Sequence, residues 1–317
     1  MYRLNGMTDS NNNTIVTSVS YNAANQMLGM WYNGTTETRT YNSLNQLTNI
    51  VASLYGSTTE NLTYNYATGN NNGKLSSMYN AVSGETVTYA YDSLNRLLTA
   101  SGSGWGESYG FDGFGNLLSK TVTAGSGPSM SIAVNAANNQ IQGVYGISYD
   151  ANGNTLGTAS GAGLIYDPEN RVNAVYSGAQ LLMQYGYDSQ NHRIWSWNGS
   201  TDVVGNPTNY SLAIYSPSGQ KLGTYTIAPI FVSNAQTNWV LTPMLNVTLA
   251  SGDAYFGSRR LAVMDQLGSA GTYFPWGEIK GSTNPQNTWS YATYWRDSVS
   301  GPSTPTTATI PSPTAAS

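Results

Sequence analysis

The chain has 317 residues, 24 of them Tyr against 5 Phe, with 34 Gly, only 9% charged residues, a net charge of −4 and a pI near 4.9. That acidic balance gives no basic footprint for nucleic acid, no apolar run is long enough to span a bilayer, and the N-terminus has no signal-peptide core. There is no cysteine, so disulfides and thiolate sites are excluded. Few charges with many Tyr, Thr, Ser, Gly and Asn point to strands joined by tight turns, and away from helices or charge-driven disorder.

In chain order, the first predicted strand is Thr14-Ile15-Val16-Thr17-Ser18-Val19-Ser20-Tyr21, uncharged, β-prone and free of proline. It leads into the first of a series of repeats, each an aromatic followed by a turn: Tyr21-Asn22-Ala23-Ala24-Asn25, Tyr41-Asn42-Ser43-Leu44-Asn45, Tyr91-Asp92-Ser93-Leu94-Asn95 and Phe111-Asp112-Gly113-Phe114-Gly115. Tyr149-Asp150-Ala151-Asn152-Gly153, Tyr166-Asp167-Pro168-Glu169-Asn170, Tyr187-Asp188-Ser189-Gln190-Asn191 and Tyr215-Ser216-Pro217-Ser218-Gly219 follow. A stretched copy starts at Tyr66 and reaches Gly73-Lys74-Leu75. Several spacings lie near 20 residues, which is short for propeller blades, the competing architecture.

The repeat has a mechanical reading. Four residues after the aromatic stands Asn25, Asn45, Asn95, Gly115, Gly153, Asn170, Asn191 or Gly219, the two residue types that best accept positive φ. The Asp or Asn after the aromatic suits an Asx turn opening a hairpin, and the loop fits a type I turn closed by a left-handed residue. Flanking residues alternate: Val87, Tyr89 and Tyr91 on one face, Thr86, Thr88 and Ala90 on the other. The expected fold is all-β, a continuous twisted antiparallel sheet of hairpins with almost no helix, forming an open arc or partial coil.

Tyr-Asp-x-x-Asn/Gly-x-x-Leu at this spacing resembles the YD repeat of the RHS family, related to the shells of bacterial toxin complexes and to teneurins, over roughly residues 15–300. Later segments resemble the RHS-associated core of that family. They are Tyr255-Phe256-Gly257-Ser258-Arg259-Arg260-Leu261, Asp265-Gln266-Leu267-Gly268-Ser269, Tyr273-Phe274-Pro275-Trp276-Gly277-Glu278 and Tyr291 to Gly301 with Arg296-Asp297. The resemblance implies an array of hairpins over 1–250, a partial core-like segment over 251–301, and a Pro/Ser/Thr-rich disordered tail over 302–317. It also implies a segment of a longer bacterial protein, secreted or at the cell surface, without the shell-closing and self-cleaving motifs that relatives carry beyond the core.

Chemical sites have bland counterparts. His192 is the only histidine and sits in a repeat turn, so a triad or zinc site has no partners. Asp92, Asp112, Asp150, Asp167 and Asp188 share one turn position, which turn capping explains better than calcium binding. Outside the repeats no acidic pair suggests a glycosidase, and Asp265 reads as a turn residue before Leu267-Gly268. Arg259 and Arg260 are adjacent on a strand and point to opposite faces. Trp195 and Trp197 are two apart on a strand and share a face, which suits stacking on a sugar; the other reading is core packing. Trp31, Trp105, Trp239, Trp276, Trp289 and Trp295 are spread through the chain.

The leading expectation is a non-enzymatic scaffold, a shell segment that encloses or presents a toxin. The alternative is a carbohydrate-binding surface, and an autoproteolytic or hydrolytic enzyme ranks third. No cofactor or metal is expected. The expected partners are the remainder of a larger protein, its toxin cargo, and cell-surface glycans, with self-association through the N-terminal sheet edge.

Overall fold

The computed structural model describes residues 3–144, 146–157, 161–199, 210–233, 239–262, 273–275, 280, 288–289 and 295–296. They contain strands and turns and no helix. The chain divides into two compact units, one built on Met1–Val134 with Leu261–Arg296, the other on Asn135–Arg260.

The first unit carries a 12-stranded antiparallel meander in sequence order: β1 (Met7–Thr8), β2 (Thr14–Tyr21), β3 (Met27–Tyr32), β4 (Thr35–Tyr41), β5 (Leu47–Leu54), β6 (Ser57–Tyr66), β7 (Leu75–Asn80), β8 (Glu85–Tyr91), β9 (Leu97–Gly102), β10 (Trp105–Phe111), β11 (Leu117–Gly125) and β12 (Met130–Ser131). A short hairpin of β13 (Ala133–Val134) and β14 (Ile141–Gln142) follows. The second unit carries a seven-stranded meander: β15 (Ala162–Tyr166), β16 (Val172–Ser177), β17 (Gln180–Tyr187), β18 (Arg193–Trp197), β19 (Tyr210–Tyr215), β20 (Lys221–Ser233) and β21 (Trp239–Gly252). Then come two-stranded pieces, β22 (Tyr255–Phe256) with β23 (Arg259–Arg260), and β24 (Thr288–Trp289) with β25 (Trp295–Arg296). Sheets of 12 and seven strands in sequence order are open meanders, not four-stranded blades. The sequence reading treats the strands as one array; between β12 and β15 the described residues hold the short hairpin and isolated bridges.

Period-two alternation sets which side chains are buried. In β8, Val87 is 5% exposed while Thr86, Thr88 and Ala90 face solvent. In the first sheet Ile50, Leu62 and Tyr64 form one core cluster, and Val87, Ala100, Trp105, Tyr109 and Phe274 another. Leu164, Val175, Met183 and Tyr185 form the core of the second sheet. Two carboxylates are buried in the first core. Glu37 is held by Arg39 Nε at 2.7 Å, and Glu107 accepts the Tyr109 hydroxyl at 2.6 Å with Lys120 buried nearby. Burial lowers the Lys120 pKa, and the charge of Glu107 acts against that shift.

Candidate functional site

At each of the eight regular repeat turns the fifth residue is left-handed: φ is 64° at Asn25, 62° at Asn45, 64° at Asn95, 91° at Gly115, 85° at Gly153, 61° at Asn170, 65° at Asn191 and 82° at Gly219. Asp92 shows the common geometry. Its carbonyl accepts the Asn95 amide at 2.9 Å, its own amide donates to the Arg96 carbonyl at 2.9 Å, and its Oδ1 accepts the amides of Leu94 and Arg96. Its Oδ2 takes Arg96 Nε at 2.7 Å. Strand pairing slips at the aromatic: Ala90 faces Thr99, but Tyr91 faces Leu97. A type I turn closed by a left-handed bulge residue produces that slip.

The residue after the left-handed position is matched to the Asp or Asn that follows the aromatic. Aspartates meet donors: Arg96, Asn116, Asn154, Arg171 and His192, the last with Nδ1 2.9 Å from Asp188 Oδ2. The neutral Asn22 and Asn42 instead donate Nδ2 to Gln26 and Gln46 Oε1, each at 2.7 Å. Hydrogen bonds from Asn116 and Asn154 side chains hold Asp112 and Asp150 below the usual carboxylate pKa, and the Arg96 amide leads the same shift at Asp92. At Asp167 and Asp188 burial pushes upward, yet hydrogen bonds from Arg171 and His192 bring the net shift down. Carboxylates spent this way and held ionised are capping groups, not general acids.

Several of these matching residues, and Asn72 of the stretched copy, also join their turn to the next. Gln26 Nε2 donates to the Asn45 carbonyl at 2.7 Å, Gln46 Nε2 to Asn71 Oδ1 at 2.9 Å, Asn72 Nδ2 to Asn95 Oδ1 at 3.0 Å, and Arg96 Nη1 to the Asp112 carbonyl at 2.8 Å. In the second unit Asn154 reaches Asn170 Oδ1 at 2.8 Å, Arg171 reaches Asn191 Oδ1 at 3.0 Å, and the His192 ring stacks on Tyr215 at 4.6 Å. The repeat tyrosines reach back the other way. Tyr41, Tyr66, Tyr166, Tyr187 and Tyr215 donate their hydroxyls to the carbonyls of Met27, Leu47, Thr155, Val172 and Arg193, at the exit of the preceding turn. Burial raises the Tyr66, Tyr166 and Tyr215 pKa values, which keeps these hydroxyls protonated as donors. Where Phe111 has no hydroxyl, the Arg96 guanidinium lies 4.8 Å from its ring centroid.

Two turns escape the sequence reading. Asp9 accepts the amides of Asn11 and Asn13 and the Asn13 side chain, with Asn12 at φ 64°; Thr8 stands where the aromatic would be. Asn135 closes on Gln140 with one extra residue and Asn139 left-handed. Their signal was the Asx and the positive-φ Asn, without the aromatic or the usual spacing.

The aromatics lie in three settings. Trp105 is 5% exposed. Its Nε1 donates to Glu85 Oε1 at 2.7 Å, Phe274 packs edge-on at 5.1 Å, and the Lys280 ammonium sits 4.6 Å over its ring. Phe274 and Lys280 of the core-like segment therefore pack against the first sheet. Trp195 and Trp197 are half-buried on one face of β18, each 6.4 Å from the Tyr210 ring centroid, with the Trp195 indole over Gly186. Trp31 lies at an open groove of about 650 Å³ across β2, β3 and β4. Thr17, Trp31 and Thr36 form one cross-strand row there, and Ser20, Gly29 and Thr38 the next. Glu37 points to the opposite, buried face, so no carboxylate side chain enters from that strand. Ser18, at the groove, is left-handed at φ 54° in mid-strand.

Among the described residues no group of His, Cys, Asp or Glu is arranged to hold a metal ion. No helix of the described residues is long and apolar enough to cross a membrane. Of the core-like motif residues, Pro275 lies in a turn and Arg296 in β25; Asp265, Gly268, Gly277 and Asp297 lie outside the described residues, as does the tail over 302–317. Arg260 Nη1 donates to Asp253 at 3.2 Å.

The RHS Repeat family model matches residues 69–104, the hairpin around Tyr91. No curated protein matches the sequence. In fold the chain is similar to the crystal structure of TcdB2-TccC3-Cdc42, with TM-score 0.63 and 18% identity over 92% of this chain and 17% of that one. It is similar too to the crystal structure of TcdB2-TccC3-TEV, with TM-score 0.63 and 17% identity over 93% of this chain and 18% of that one. The Tc holotoxin pore of Photorhabdus luminescens gives TM-score 0.59 and 18% identity over 83% and 15%. The chain thus spans less than a fifth of each of these proteins.

Proposed function

This chain carries an RHS repeat in a fold shared with TcdB2-TccC3 proteins, and on that premise we propose that it is a non-enzymatic wall segment of a larger secreted or surface RHS-type shell that encloses or presents a toxin. The observation that carries the reading is the bonding of turn to turn. Within each unit, side chains of several repeats bond to the next turn, so groups that could otherwise do chemistry are engaged in holding the sheet together. An enclosing wall needs this stiffness along the strand-stacking direction, because each hairpin alone is marginal in water.

The test is electron microscopy of the longest natural polypeptide containing these residues, with protease protection of its interior. A hollow particle holding a protected segment is the expected result. An extended ribbon with every segment equally cleaved removes the reading.

A second reading, recognition of a neutral saccharide, is favoured by the Trp31 groove, where an indole stands among Thr17, Ser20, Thr36 and Thr38 hydroxyls. Saturation-transfer NMR with neutral methyl pyranosides is expected to give signal that Trp31→Ala removes. Signal that instead falls with Trp195→Ala and Trp197→Ala moves recognition to the second sheet, and no signal dismisses it.

A further inference from the structure

We propose that the regular half of β21 is a self-complementary edge through which two copies of this chain join into one continuous sheet. The other edges of the two large sheets are short. β1 and β12 have two residues each and β15 has five, while β21 has 14. β1 already pairs with the Thr14–Val16 end of β2, and the Ser18 bulge interrupts the rest of that strand. Exposed edges are normally blunted by shortness, charge or proline. Trp239–Gly252 contains no charged residue, and its one proline, Pro243, falls where pairing with β20 is irregular, between Leu241 and Leu245. That leaves 245–249 regular, up to a second slip at Ala250 where Tyr225 faces Leu249 and Thr224 faces Ser251, and Asn246, Val247, Thr248, Leu249 and Ala250 are all exposed.

Two apolar rungs run out to this edge. Cross-strand partners place Trp197, Tyr210, Ile227 and Val247 in one row and Trp195, Leu212, Tyr225 and Leu249 in the next, on one face. The inner members are half-buried, whereas Val247 is 52% and Leu249 60% exposed. The opposite face carries Ser196, Ser211, Thr226 and Thr248 in register.

The occupant follows from symmetry. Antiparallel pairing centred on Thr248 sets Val247 against Leu249 of the second copy, and Leu249 against its Val247. A two-fold axis normal to the sheet keeps the apolar faces on the same side, so both rungs continue unbroken into the partner. The two Thr248 hydroxyls meet on the polar face. Asp253, the first charge after the strand, is paired with Arg260 and lies five residues from the axis. This inference does not rest on the shell reading.

Sedimentation velocity of the full chain up to about 100 µM tests it. Wild type is expected to dimerise, and Val247→Lys with Leu249→Lys to raise the dissociation constant at least about 100-fold through four like charges at the axis. Val247→Glu with Leu249→Lys sets opposite charges against each other and is expected to retain the dimer. Since the chain has no cysteine, Thr248→Cys should oxidise to a covalent dimer while an exposed control, Thr86→Cys, does not. A monomeric wild type, or a dimer that survives the double lysine variant, overturns the proposal. So does a wild type that stays monomeric until a different protein is added, since the partner is then not a second copy.

Discussion

At Tyr91–Leu97 the chain reverses through side-chain bonds: Asp92 gathers two amides and Arg96, and Arg96 goes on to the next turn. At the other end of the hairpins, Tyr32–Thr35 and Leu54–Ser57 reverse through two residues each, Asn33-Gly34 and Tyr55-Gly56, with all four φ angles positive. There the backbone alone sets the geometry, in the mirror-image turn that matches strand twist. One end is therefore written in side chains and coupled along the sheet; the other is written in glycine.

The sharpest way to break the contrast is Gly34→Val. At φ 82° a β-branched residue is strained, and its Cβ would meet the Tyr55 ring at 2.4 Å. Thermal melts should report a loss of about 2–3 kcal/mol. At the coupled end, Asn95→Val should cost about 1–2 kcal/mol while Asn95→Gly stays within a few tenths; equal melting temperatures would refute the left-handed assignment. Tyr66→Phe removes the hydroxyl that reaches the Leu47 carbonyl, for an expected loss of about 1 kcal/mol, whereas Tyr55→Phe, 84% exposed, should change nothing measurable in the same denaturant series.

The smallest effect is pH-dependent. Folding depresses the pKa of Asp92, Asp112, Asp150, Asp167 and Asp188 below the ordinary 3.8. Their contribution is full above that value and drains away as pH falls through the lower folded pKa. Amide exchange at these turns should quicken below about pH 4 relative to the Asn22 and Asn42 turns, which hold no titrating group. Uniform quickening would mean the carboxylates do not carry their turns.

The repeat turns are legible in sequence because their chemistry is local. An aromatic, an Asx and a positive-φ residue act within five positions, so Tyr41 to Asn45 announces itself. The Asn33-Gly34 turn carries an equally local signal, which a search for the aromatic repeat passes over. What stays hidden depends on register across strands. Trp195 and Trp197 can be assigned to one face by alternation, but nothing local says that Val247 and Leu249, about 50 residues later, end the same rungs. The Trp105 setting is hidden for the same reason: Glu85 comes 20 residues earlier and Lys280 far downstream. Phe274 was visible only through its resemblance to a family motif, which said nothing of the indole it meets.

The backward reach of the repeat tyrosine has a consequence for how such a chain grows. At five joints a hairpin presents, at the exit of its turn, the carbonyl that the following tyrosine takes up, and that tyrosine belongs to the next hairpin. A duplicated hairpin therefore arrives with both halves of the joint already made. Lineages can lengthen or shorten the array by whole units without inventing a new interface, while the loss of a single residue inside a strand inverts every face downstream. Variation in length should accordingly come in steps of one hairpin, about 20 residues at a time.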